Sequence, residues 1–505
     1  MFIKYKMIFI VIFLIFPLSS LSQSHYRKNL NMINVAVSAF PETLDPVKVW
    51  NYQHYLLVQC AFQTLIRFDE SGSIVGDLAE KWEISSDKKI YTFYLNRNTK
   101  FHNGHLVTAD DVAWSMSRHF WPKSESITGS YLEKVLSNSK LLQYGEIHPS
   151  INVINDYTIQ FHLKSAYPAL IYILSMPAFS ILQKSNISTK IPIGSGPLKA
   201  EYSSDSESLI FKRYENYSNI KPSIKKISVF KLKYTVEENE LLKNNNIDII
   251  IGFPRGEIEN VVLPVEYELK KMSGLIYTHL FFNLSKNRFK NKNARKYISN
   301  AIQKSFNSSS DFSKFYSYNP YYFPKGVMPI EYYKKSVNSD YVFSSKKLDL
   351  LENIKILVQK GNINNKMFQI FEDTFLKLGV KVKWNFVDLN FIDEIKKNQY
   401  DLLIAGYVGN FPDPDGYLDP LKSNSIINFG NIPTDSLFKE LEKYRFISEP
   451  VERLQKYSDS FKRFENEFYF IPLFQASLPI IKKKNIVIPE EKFRYEGELW
   501  KIFWK

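Results

Sequence analysis

Four places in this 505-residue sequence carry residues whose types and spacing could do chemistry. His102 and His105 form an HxxH pair, a spacing used by metal sites when a third ligand stands nearby on a helix. Here Asn103-Gly104 lies between them, which marks a tight turn, and no Cys or third carboxylate follows at metal-ligand spacing. They read as turn histidines, and no metal is expected. Asp413 and Asp415 flank Pro414, but two acids in one loop make a catalytic pair only with a geometry that sequence does not supply. Cys60, the only cysteine, sits in the apolar stretch 55–62 and reads as a small core hydrophobe, not a nucleophile. The fourth place is the loop 406–414, Gly-Tyr-Val-Gly-Asn-Phe-Pro-Asp-Pro, which offers an aromatic, an amide and an acid within a few residues. That set suits ligand holding better than bond making. With no GxSxG, P-loop or nucleophile elbow in the chain, no enzyme and no cofactor are expected.

The elements that must position these residues alternate between two periods. Ile33, Val35 and Val37 alternate as a half-buried strand, as do Tyr91, Phe93 and Leu95, and again Ile159, Phe161 and Leu163. Thr108 and Asp111 have the spacing of a capping box that opens a helix through Val112 and Met116. A βαβ theme recurs: strands at 227–232 and 247–251 around a helix near 236–243, then strands at 354–358 and 380–386 around a helix at 366–378 stopped by Gly379. A further strand at 401–405 feeds the loop 406–414. Ligands of open α/β sheets sit at such carboxyl ends. Gly194 and Gly196 in IGSGP allow a close backbone approach.

The amino terminus indicates where the protein works. Lys4 and Lys6 precede ten apolar residues, 7–16, ended by Pro17 and a small polar stretch. That core is too short to span a bilayer as a helix and suits a secretory signal over residues 1–24, cleaved near Ser22 or Ser24. Without a cysteine at that boundary no lipid anchor is expected, so the mature protein should be free in the periplasm. The net charge of +14 is spread over 66 basic and 52 acidic residues, so nucleic acid is not an expected partner. The run Lys482-Lys483-Lys484 reads as a solvated face. At 505 residues with 44% apolar content the chain should fold as two or three lobes.

The stretch 61–116, with TLDP at 43–46, IGSGP at 193–197, FFN at 281–283, ARKYISNAI at 294–302, FPDPDGYL at 411–418 and FIPLF at 470–474, strongly resembles the family 5 extracellular solute-binding proteins, the oligopeptide and dipeptide receptors. The resemblance implies an α/β architecture of the periplasmic-binding-protein type II fold: two hinged α/β lobes plus a family-specific inserted third lobe. The first lobe would comprise 30–50, 176–274 and 474–505, the inserted lobe 51–175, and the remaining lobe 275–473. Crossing strands near 277–283 and 467–474 would form the hinge. The function implied is the periplasmic substrate-binding component of an ABC importer, a monomer that takes a peptide-like or other small solute into an interlobe cleft and delivers it to the permease membrane subunits. A secreted hydrolase or peptidase is the alternative of another class.

Site residues follow from the same resemblance. The loop after TLDP would bring Trp50, Asn51 and Tyr52 to the cleft. The strand before FFN would present Tyr277 and His279 on one face, His279 donating a charge-assisted bond if protonated. The loop 406–414 would contribute Tyr407, Val408, Gly409, Asn410 and Asp413. In the peptide receptors this loop carries a Trp and then an Asp that holds the ligand's α-ammonium. The matching positions here are Tyr407 and Asn410. An amide brings no charge to a buried ammonium, so the expected ligand lacks a free α-amine at this point, as a blocked peptide, sugar or chelate would. Tyr407 would stack on it, and Asp413 is the acid that could stand in if an amine is bound after all.

Overall fold

The computed structural model describes residues 31–49, 51–122, 124, 126, 128–137, 142–184, 189–232, 246–252, 262–309, 313–334, 353–387, 391–409, 411–421, 428–433, 436–489 and 498–505. The signal segment 1–24 and the helix expected near 236–243 lie outside them.

An 11-stranded mixed sheet organises the molecule. At one end Met32–Val37 lies between Lys226–Lys231 and Ile249–Ile251, parallel to both. Ile33 and Val35 are fully buried on one face, while Met32 and Asn34 on the other are only half-buried. At the other end Ile354–Gln359 lies parallel between Val382–Val387 and Leu402–Val408. The helix Asn365–Lys377 makes the crossover there. Its end shows why Gly379 was a stop signal. Gly379 takes φ +70°, its N–H donates to Leu376, and the Val380 N–H donates to Phe375, leaving Val380 packed beside the buried Phe375.

Two long strands, Tyr267–Phe282 and Phe470–Lys483, join these halves and pair with each other antiparallel. Their far portions belong to different neighbours. Ile276 to Phe282 pair with Leu402–Val408, while Ile480 to Lys482 pair with Ile249–Ile251. The passage between halves therefore lies around Met272 to Ile276 and Ala476 to Ile480, where the register also shifts. This corrects the expected crossing near 277–283 and 467–474. Those residues are held inside one half by their pairing with Leu402–Val408 or with each other.

The run of three lysines is also corrected. Lys482 and Lys483 are buried in the second long strand, Lys482 paired with Glu268 and Lys483 with Asp248 at 2.8 Å. A lysine run in sequence becomes a solvated face only if its strand has one.

A second, four-stranded antiparallel sheet carries Ala79–Ile84, Ile90–Leu95, Thr158–His162 and Ile151–Asn155 in that order. The helix Ala109–Ser117 packs on it, opened by the reciprocal Thr108–Asp111 box. Its apolar residues form their own buried cluster, from Leu65 to Ile181, into which the distant Phe411 also inserts and against which the half-buried Phe446 packs. The IGSGP segment fastens this unit to the larger sheet. A Cβ on Gly194 would lie 2.1 Å from the Ala61 carbonyl oxygen, and the Gly196 N–H donates to that same oxygen. His102 holds the segment from the other side, its Nε2 3.0 Å from the Gly196 carbonyl oxygen.

Candidate functional site

The register of the sheet places a cleft. Leu402–Val408 runs toward its carboxyl end at Val408, opposite Ile276, which in turn pairs with Ala476. Ile249–Ile251 runs toward Ile251, which pairs with Ile480. The carboxyl ends of the two parallel sets therefore point at each other along the second long strand, from Ala476 to Ile480. At ~3.3 Å per residue the gap spans about 13 Å, wider than the ~10 Å between packed sheets and so enough to admit an extended peptide. Facing carboxyl ends are where an open α/β sheet presents loops to a ligand.

One wall begins at Tyr407, Val408 and Gly409. Tyr407 and Val408 are half-buried, and the Tyr407 ring lies 5.7 Å from that of Tyr277 and 6.4 Å from that of Tyr417. Gly409 is fixed by contact: a Cβ there would sit 2.0 Å from the Tyr417 ring. Tyr277 is fully buried, 3.2 Å hydroxyl to hydroxyl from Tyr322, whose own proton goes to the Tyr417 carbonyl at 2.7 Å. Tyr277 thus reads as the back of the wall.

The opposite wall begins where Met32–Val37 and Ile249–Ile251 end. The Gln53 side chain accepts from the Ala39 N–H at 2.9 Å and donates to Ser38 Oγ at 2.7 Å. It passes so close to Gly252, at φ +91°, that a side chain there would clash with it. Asn51 opens the helix Tyr52–Ala61, its Oδ1 accepting from the His54 N–H at 3.0 Å. The Asn51 Nδ2 is buried and has no hydrogen-bond partner among the described residues. Tyr52 is half-buried beside it. Trp50 and Asn410 lie outside the described residues.

Two expectations change. His279 shares the face of Tyr277, ring centroids 4.3 Å apart, but it is enclosed by Phe281, Tyr322 and Phe470. Burial pushes its imidazole down to about 3, so at neutral pH it is uncharged and offers no charge-assisted bond. Asp413 is buried with both oxygens committed to Arg453, at 2.6 and 2.7 Å, and also caps the turn Pro414–Tyr417 through the Asp415 N–H. It is not available to stand in for a missing ammonium acceptor. Neither set of partners could be read from the sequence, because Arg453 is remote in the chain and the aromatic cage assembles from three separate segments. TLDP proves similarly structural, Asp45 taking a two-pronged bond from the buried Arg118 at 3.0 and 2.5 Å.

The neutral histidines give a pH dependence with a definite sign. His279 and His119 are pushed by burial to about 3, and His54 and His102 to about 4. In the unfolded chain each takes a proton near pH 6.5, so their contribution is intact above that value and is lost as pH falls toward 3 to 4. Asp77, raised by burial to about 6, works the other way, its contribution present below pH 4 and lost as pH rises through 6. The four histidines outweigh the one acid. Unfolding free energy should fall by on the order of 3 kcal/mol per fully buried histidine between pH 7 and 4. A His279→Phe variant should show a shallower acid slope in urea titrations, and an unchanged slope would contradict the assignment.

The Cys60 thiol is fully buried and pushed upward by burial, away from nucleophilic chemistry.

Comparison with known proteins agrees with this geometry. The model of the bacterial extracellular solute-binding proteins, family 5, matches residues 73–429. The probable D,D-dipeptide-binding periplasmic protein DdpA of Escherichia coli (strain K12) is 21% identical over 498 residues, covering 92% of each chain. Among solved structures, the periplasmic binding protein DppA of Helicobacter pylori in complex with the peptide STSA superposes with a TM-score of 0.75 at 20% identity, covering 94% of this chain and 98% of the other. AgaA of A. tumefaciens R10, in complex with agropinic acid, superposes with a TM-score of 0.73 at 20% identity, covering 94% and 99%. Both likenesses show the fold: a mixed α/β periplasmic-binding-protein architecture.

Proposed function

Because this chain belongs to the bacterial extracellular solute-binding proteins of family 5, we propose that it is the substrate-binding component of an ABC importer, taking a peptide-like or other small solute into its cleft and handing it to the permease membrane subunits. The observation that carries this reading is the pair of strand carboxyl ends facing across about 13 Å of the two long strands. Those strands are the natural hinge, since each half keeps its own sheet pairing while the segment between them bends. The lobes are taken as 30–50 with 176–274 and 474–505, then 51–175, then 275–473. Family membership supports a receptor and not an enzyme, and nothing in the site favours a hydrolase. The protein is exported by a signal over residues 1–24, works as a periplasmic monomer, and has no nucleic-acid partner. Among the described residues no helix is long and apolar enough to cross a membrane.

The ligand is held by Tyr407, Val408 and Gly409 with Asn410 on one wall and by Trp50, Asn51 and Tyr52 on the other, the Asn51 Nδ2 donating to a ligand carbonyl. Tyr277 backs the wall. With Asn410 at the family's acidic position and Asp413 committed to Arg453, the site favours a ligand without a free α-amine. Calorimetry with Ala-Ala-Ala and N-acetyl-Ala-Ala-Ala tests this. The acetylated peptide should bind at least as tightly, and Tyr407→Ala should weaken it roughly tenfold through lost stacking. Tight binding of the free amine that acetylation abolishes would overturn the neutral site.

A further inference from the structure

We propose that Tyr167, Asp415 and Arg445 form a latch that holds the inserted lobe against the lobe carrying Tyr407, and so sets how readily the cleft opens. The contact is built across the chain. Tyr167 belongs to the unit of the four-stranded sheet, where the Tyr91 hydroxyl donates to its carbonyl oxygen at 3.2 Å. Its own hydroxyl donates to Asp415 Oδ2. Arg445, from the other unit, donates to Asp415 Oδ1 from Nε at 2.9 Å and from Nη2 at 2.5 Å. Tyr167, Asp415 and Arg445 are 1%, 4% and 5% exposed, so the junction is dry.

Burial alone would raise the Asp415 carboxyl. Arg445 and the Tyr167 hydroxyl outweigh it and hold the group below the usual carboxylate value, hence charged. A hydroxyl bonded to a buried carboxylate is among the stronger neutral-donor contacts a protein makes. Apolar contacts surround it. Phe411 inserts into the second buried cluster with its ring 5.6 Å from Tyr131, and Phe446 meets Tyr167 at 6.2 Å. At the rim the exposed Lys88 pairs with Glu449 at 2.7 Å.

What makes this a latch is how it divides on opening. Asp415 and Arg445 travel together on one lobe, so their ion pair survives separation, while the Tyr167 bond and the Phe411 insertion do not. The same turn reaches the ligand wall directly. Asp415 is capped by Asp413, and Tyr417, in that turn, covers Gly409 next to Tyr407. A ligand that steadies Tyr407 to Gly409 thereby steadies the Tyr167 acceptor, and by linkage the latch favours ligand retention. This consequence rests on the solute-receptor reading; the latch itself does not.

Distances between spin labels at Glu83→Cys and Glu452→Cys, both exposed, read the lobe separation, with Cys60 too buried to label. Measured without any ligand, Tyr167→Phe should shift the open-to-closed ratio roughly five- to tenfold toward open relative to the parent. Asp415→Asn, which keeps shape but not charge, should move it the same way. Circular dichroism should show both variants folded at the measuring temperature. Distance distributions of folded Tyr167→Phe that superimpose on the parent's would overturn the latch, even if its melting temperature falls. A shift in distance with no solute ever bound would uphold the latch and sink the receptor reading, so the two failures are distinguishable.

Discussion

Arg453→Met should destabilise the protein by roughly 3–5 kcal/mol, because it leaves the Asp413 carboxylate buried without its cation. Both side chains are almost fully enclosed, at 3% and 6% exposure, and the two bonds of 2.6 and 2.7 Å give the fork geometry that only arginine provides. Desolvation explains the size of the effect. The intact pair contributes little net stability, but one partner alone cannot be rehydrated without opening the turn Pro414–Tyr417 that Asp413 caps. Asp413→Asn in the Arg453→Met background should therefore recover part of the loss, since the amide oxygen still caps the Asp415 N–H and no charge is stranded. Urea unfolding of the two variants and the parent, compared at constant slope, gives the answer. A loss below about 1 kcal/mol for Arg453→Met would mean the site is wetter than its burial indicates.

Gly194→Ala should be comparably costly for a different reason. The added Cβ would lie 2.1 Å from the Ala61 carbonyl oxygen and 2.5 Å from the Phe62 ring, and the first of these is backbone that no rotamer can move. That carbonyl already accepts the Gly196 N–H, so relief requires separating the IGSGP segment from the end of the helix Tyr52–Ala61. The cost is expected at about 3 kcal/mol, or loss of soluble protein. Gly361→Ala is the control. It has open space around its Cβ and only a φ of +82° to strain it, so about 1 kcal/mol is expected. Equal, small effects at both positions in denaturant titrations would show that the GSGP approach is looser than its geometry implies.

How much of this could be read from the sequence depended on whether the signal was local. The strand of Ile33 and Val35, the Thr108–Asp111 box, the Gly379 stop and the close approach of Gly194 and Gly196 all rest on residues within a few positions of each other, and each is found. What could not be read was set by partners distant in the chain. Lys482 and Lys483 look solvated until Glu268 arrives from the neighbouring long strand and Asp248 from the position just before Ile249–Ile251. Asp413 looks like a ligand acid until Arg453 claims it, and His279 looks like a proton donor until Phe470 and Tyr322 enclose it. For the cleft, period two correctly put Tyr277 and His279 on one face but could not tell a ligand face from a packed one. Gln53, whose side chain ties the end of Met32–Val37 to Gly252, carries no pattern in sequence at all.

Receptor function is tested most directly by native mass spectrometry of the protein purified from its own cells without denaturation. The expected spectrum shows a fraction of the protein carrying one small molecule, released intact and chemically unchanged on activation and displaced by excess N-acetylated peptide. A bound molecule that is recovered cleaved, or a protein that neither arrives loaded nor takes up any peptide or other small solute offered to it, would contradict a solute receptor.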